Sequence, residues 1–166
     1  MRNASIRMRR WLAGLCLLAA MAPLHAEPVP IAVIVAAEHA REAIDPDALT
    51  LIYRRKRLHW ADGSRIEPIN LPADHPLRLR FSRTVLGLKP EQMQDYWNEM
   101  YFQGVSPPYV LASEAAMLAF VAATANAIGY VSACHVAGDV SVLFLLDERG
   151  RRLPFETVPP CADPAP

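Results

Sequence analysis

Ile31-Ala32-Val33-Ile34-Val35 is an unbroken apolar run of strand length, with four β-branched residues in five. It has no polar alternation, so it fits a strand covered on both faces rather than one with a wet side. The segments after it can supply that cover. Asp45 is placed to cap a helix that Pro46 opens, with Ile44 and Leu49 at hydrophobic-staple spacing. Leu49, Ile52 and Tyr53 give that helix one apolar face. Trp60-Ala61-Asp62-Gly63-Ser64 reads as a turn, and Ile66 to Asn70 as a short strand that Pro68 marks as an edge.

Three helices are predicted next. Pro76 opens the first, Leu77, Phe81 and Val85 recur every four residues, and Gly87 stops it. Pro90 opens the second, whose stripe of Met93, Tyr96, Trp97, Met100 and Tyr101 is expected to be core. Tyr109, after Ser106-Pro107-Pro108, is expected in a loop. Ser113 caps the third helix, with Met117, Leu118 and Val121 facing in. Ile128–Val131 and Val140–Leu146 read as strands. Strands interleaved with helices define an α/β domain, a mixed sheet flanked by helices, over residues 27–150. From Pro154 onward five prolines in thirteen residues predict a tail without regular structure, so 151–166 is read as a Pro-rich C-terminal segment.

Residues 1–26 read as a secretory signal peptide. Arg2, Arg7, Arg9 and Arg10 precede the apolar run Trp11–Met21, and Leu24-His25-Ala26 offers a small residue at the cut. The whole chain balances 17 basic against 17 acidic side chains, but cleavage after Ala26 removes four arginines and leaves −4. That balance gives no footing to a nucleic-acid partner. Export places the chain in the periplasm, where Cys134 and Cys161 remain as an even pair. A disulfide between them is expected; two free thiols is the other reading.

Four segments from Ile31 to about Leu146 resemble one family. They are Leu51-Ile52-Tyr53-Arg54-Arg55-Lys56-Arg57-Leu58-His59-Trp60-Ala61-Asp62-Gly63-Ser64, Leu71-Pro72-Ala73-Asp74-His75-Pro76-Leu77-Arg78, Tyr96-Trp97 with Phe102-Gln103-Gly104, and Ala127-Ile128-Gly129-Tyr130. In order, they resemble the short, single-lobe relatives of the substrate-binding protein of phosphate ABC transporters, in the periplasmic-binding-protein-like superfamily. The resemblance implies one exported type II lobe, no catalytic activity, no cofactor, and a small anion such as phosphate as ligand.

The ligand positions depart from the family. The turn that donates amides and hydroxyls to the anion in long relatives is Asp74-His75-Pro76 here, where Pro76 has no N–H and Asp74 adds a negative charge. The loop after the first strand is Ala36-Ala37-Glu38-His39, again with an acid. These changes argue against tight phosphate binding. The candidate ligand residues are Asp74, His75, Arg78, Glu38 and His39.

Charge is also segregated. Residues 54–89 hold nine basic side chains against three acids, and residues 90–148 hold none against seven. Arg54, Arg55, Lys56 and Arg57 form a basic patch suited to an anion or an acidic partner. The rival reading is therefore a ligand-free interaction module that docks an envelope or transporter protein, and a lone lobe also leaves a face for a second copy. Enzymatic and metal constellations are absent from the sequence: Glu38, His39, Glu42, His59 and His75 lack metal-ligand spacing, and Cys134-His135 sits where neighbouring strand residues point apart.

Overall fold

The apolar run becomes the dry centre of the sheet. A computed structural model describes residues 29–40, 42–154 and 161; the signal peptide assigned to 1–26 and most of the Pro-rich tail lie outside them. All five residues of β1 (Ile31–Val35) are fully buried. This strand lies between β4 (Ala127–Ser132) and β5 (Ser141–Leu146), antiparallel to both, with a bulge against β5 at Val33/Ile34. β2 (Glu67–Asn70) runs parallel to β4, the two-residue β3 (Tyr109–Val110) runs parallel to β2, and β6 (Arg152–Leu153) closes the other edge beside β5. The order is β3-β2-β4-β1-β5-β6.

Local chemistry sets the helices. Asp45 accepts the Ala48 N–H at 2.7 Å and starts α1 (Pro46–Tyr53), and Ser113 accepts the Ala116 N–H at 3.1 Å and starts α4 (Glu114–Ala123). α2 (Pro76–Phe81) widens into a π-type turn over Ser82–Leu86 and stops at Gly87, whose φ of 71° suits glycine. A 3-10 turn at Pro90–Met93 leads into α3 (Gln94–Phe102).

Consecutive strand residues point to opposite faces, so β4 separates the helices. On one face the Tyr130 ring stacks on Phe81 of α2 at 3.8 Å, with Tyr53 of α1 beside them. On the other, a Cβ at Gly129 would sit 2.9 Å from both Cγ and Sδ of Met117 on α4, so only glycine lets α4 approach that closely.

Several local expectations change. β2 is an inner strand, although Pro68 suggested an edge. The Glu67 N–H reaches Asn126 on the β4 side, so position 68 faces β3, and β3 pairs only from Ile69 onward. The missing proline N–H therefore costs no ladder bond. Tyr109 lies in a short strand, not a loop. Cys134 and His135 lie in a 3-10 turn (Ala133–His135) rather than at a strand end. The aromatic stripe of α3 is not core: Met93 just before it is buried, Tyr96 and Trp97 are half-buried, and Tyr101 is exposed.

Cys134 and Cys161 are bonded across 27 residues of sequence. Closing that loop in the unfolded chain is worth roughly 3.5 kcal/mol in the chain-entropy account. Cys134→Ser should lower the unfolding free energy by about 3 kcal/mol in urea. Reductant should cause the same loss in the wild type and none in the variant; no effect of reductant on the wild type would refute this. Gly129→Val should cost about 2 kcal/mol or more through overpacking against Met117, read by the same melts.

Candidate functional site

The direction of β1 decides which loops can meet. β1 is antiparallel to β4, and β4 is parallel to β2, so the chain leaves β1 and β2 at opposite ends of the sheet. Asn70 closes β2 level with Tyr130, and the Asp74-His75 turn lies beyond the Ile31 end. Glu38 and His39 follow Val35 at the other end, at least roughly 13 Å of strand away. The five candidate ligand residues thus fall into two groups: Asp74, His75 and Arg78 at one end, Glu38 and His39 at the other.

At the Ile31 end the polar groups are buried and close. The Tyr130 hydroxyl donates to Asn70 Oδ1 at 3.0 Å and accepts the Leu71 N–H at 3.4 Å. The Tyr53 hydroxyl donates to the Ile69 carbonyl at 2.9 Å. Arg78 on α2 is only 8% exposed, and its Nε and Nη1 are buried without a hydrogen-bond partner. Burial lowers the Arg78 guanidinium from its ordinary value, opposed by Tyr130 and Tyr53. Burial raises Tyr53 and Tyr130 in turn, and the nearby Arg78 charge partly offsets this.

The α2 start is capped by its own chain. His75 Nδ1 accepts the Leu77 N–H at 3.2 Å, and Pro76 has no N–H to offer. Asp74 is exposed and makes no capping contact, so the carboxylate expected to fill an anion's place stands in solvent. Nearby, Glu114 Oε2 accepts the Ser132 N–H at 2.6 Å and lies 3.0 Å from His135 Nδ1.

The Val35 end is a second, separate cluster. His39, buried on its 3-10 turn, stacks on Trp60 at 4.3 Å, and Trp60 Nε1 donates to Asn126 O. Glu42 Oε1 accepts the Ala61 N–H and lies 3.7 Å from His39 Nδ1. Glu38, Glu42, Ala43, Arg57 and Ala61 line an open cleft of about 390 Å³ here. No group of three or more metal-ligating side chains forms among the described residues.

The basic patch is largely spent inside the fold. Arg54 donates to the Leu86 carbonyl, Arg55 to the Ile66 carbonyl, and Arg57 lies 3.9 Å from Glu42. Among these four residues only Lys56 is exposed. Asn70, Tyr53 and Tyr130 are the polar neighbours that sequence reasoning missed. Asn70 had a signal, an uncharged polar residue ending a strand just before Leu71-Pro72. The tyrosines looked like ordinary core.

No protein-family model matches the chain, and no curated protein matches its sequence. Solved structures do match its fold. An ABC-type phosphate transport receptor from Vibrio cholerae is 20% identical with a TM-score of 0.58, over 70% of this chain and 46% of the receptor. A protein assigned as a phosphate ABC transporter substrate-binding protein, solved with bound phosphate and from Clostridium perfringens, is 20% identical with a TM-score of 0.55, over 72% of this chain and 46% of that one. The chain spans about half the length of these receptors and has the fold of a single periplasmic-binding-protein-like lobe.

Tyr53 and Tyr130 hold their protons in the folded state beyond the pH at which an exposed tyrosine ionises. The stability they support is therefore complete below about pH 10 and is lost as pH rises toward their folded values. In an alkaline titration, two tyrosines should ionise only as the far-ultraviolet circular dichroism collapses. Ionisation of all five tyrosines before any loss of structure would contradict the arrangement.

Proposed function

We propose that this chain is an exported, periplasmic solute-binding-like lobe without catalytic chemistry, which holds a small phosphate-like anion weakly at Arg78. In this reading residues 1–26 are removed on export and 27–150 form the lobe, whose sheet β6 (Arg152–Leu153) completes before the rest of 151–166 continues as a tail. The observation that carries it is the state of Arg78. The residue is more than nine-tenths buried, its Nε and Nη1 have no acceptor, and no carboxylate lies within 4 Å of it among the described residues. A buried charge without a partner is costly by several kcal/mol, and an anion beside it recovers part of that cost. The matched receptors, one of them with phosphate bound, support the ligand class.

The affinity should be low. The α2 start has no proline amide, its Leu77 amide is committed to His75, and Asp74 stands close by in sequence. Binding near millimolar, about −4 kcal/mol, fits a site reduced to one guanidinium.

Calorimetric titration with inorganic phosphate at about pH 7.5 and about pH 5.5 tests this, with Arg78→Met alongside. Heat should appear at both values. Arg78→Met should remove the heat while its melting temperature holds or rises, because an unpaired buried charge is gone. Absence of heat in the wild type at both pH values would reject the anion reading. The ligand-free docking module would then stand, on the strength of the self-capped α2 start.

A further inference from the structure

The α3 helix packs against the core at its start, through Met93, Tyr96 and Trp97, but not at its end. Its apolar positions recur at helical spacing, yet Tyr101 is 71% exposed and Phe102, beside it, 89%. Together these two rings leave roughly 300 Å² of aromatic surface uncovered. That is more than a third of the ~800 Å² each partner gives to a standard interface.

The surroundings say what fits there. Glu91, Asp95 and Glu99 recur every four residues along the same segment, all exposed, and none makes an ion pair among the described residues. The Tyr96 hydroxyl donates to the Arg54 carbonyl at 2.6 Å, which sets α3 against the end of α1. On that neighbouring surface Leu51 and Lys56 are exposed. The turn after α2, tied to α1 through Thr50 to Val85 and Arg54 to Leu86, adds exposed Arg83, and Lys89 follows it. The uncovered aromatic pair at the end of α3 thus shares its helix with unpaired acids, while the adjoining α1 end and the turn after α2 carry exposed bases.

We propose that this face is an interface between two copies of the chain, related by a two-fold axis that sets each copy's acidic α3 against the other's basic α1 end. A two-fold contact must be self-complementary, and adjacent patches of opposite sign beside one apolar centre meet that requirement. The acidic α3 face argues against an anionic membrane as occupant. The pairing is independent of whether Arg78 binds an anion.

Sedimentation of protein produced from the full 166-residue chain in an exporting host, from about 1 to about 200 µM, tests it. The wild type should form dimers that weaken several-fold as salt rises. Phe102→Ser should raise the dimer dissociation constant at least tenfold with circular dichroism unchanged. Asp95→Lys with Glu99→Lys, and separately Lys56→Glu with Lys89→Glu, should each give monomers. An equimolar mixture of those two double variants should restore the dimer, because each reversed face then meets an opposite charge. A wild type monomeric throughout, a dimer indifferent to Phe102→Ser, or a mixture that stays monomeric would each overturn the proposal.

Discussion

Everything else in this fold is arranged around a strand with no access to water. The five residues of β1 are fully buried, paired antiparallel on both edges and covered on both faces. Four of them are Ile or Val, and burying each is worth about 1.5–3 kcal/mol relative to exposure. That burial needs helices above and below, which α1 and α2 supply on one face and α4 on the other. Its direction has a further consequence. With β1 opposed to β2 and β4, the loops after β1 and β2 leave at opposite ends, and two polar clusters form instead of one.

The arginines show how little a charge count says about a surface. Arg54 and Arg55 point their charge at carbonyl groups of neighbouring segments, and Arg57 faces Glu42. Arg54 and Arg55 each leave only Nε without an acceptor, whereas Arg78, outside the dense basic run, leaves both Nε and Nη1 buried and unpaired near Tyr53 and Tyr130. Long side chains with five donors readily find backbone acceptors when packed against a fold, so a basic run in sequence is as often internal scaffolding as a docking face. The acids of α3 have no such internal outlet, and there the segregation of charge does reach the surface.

Features governed by three or four neighbouring residues were readable in advance. The caps at Asp45 and Ser113, the reversal at Gly63 and the stop at Gly87 all depend on short-range hydrogen bonds or on a left-handed backbone that suits glycine. Pro68 was readable as a constraint but not as a position, because its consequence depended on where β3 begins. The α3 stripe showed which face is apolar and could not show whether anything lies against it. His39 read as a polar loop residue until the 60–64 turn folded back and placed Trp60 on it.

The amino-acid order alone determined a buried central strand, an α/β alternation of helices and strands, and their caps and turns. Tertiary structure decided the rest: which loops share an end of the sheet, which arginines keep their charge free, and which aromatic face stays uncovered. The physical reason is range. Caps and turns are closed by atoms a few residues apart, whereas strand direction, burial of a charge and cover over a helix face depend on partners that only the folded chain brings together.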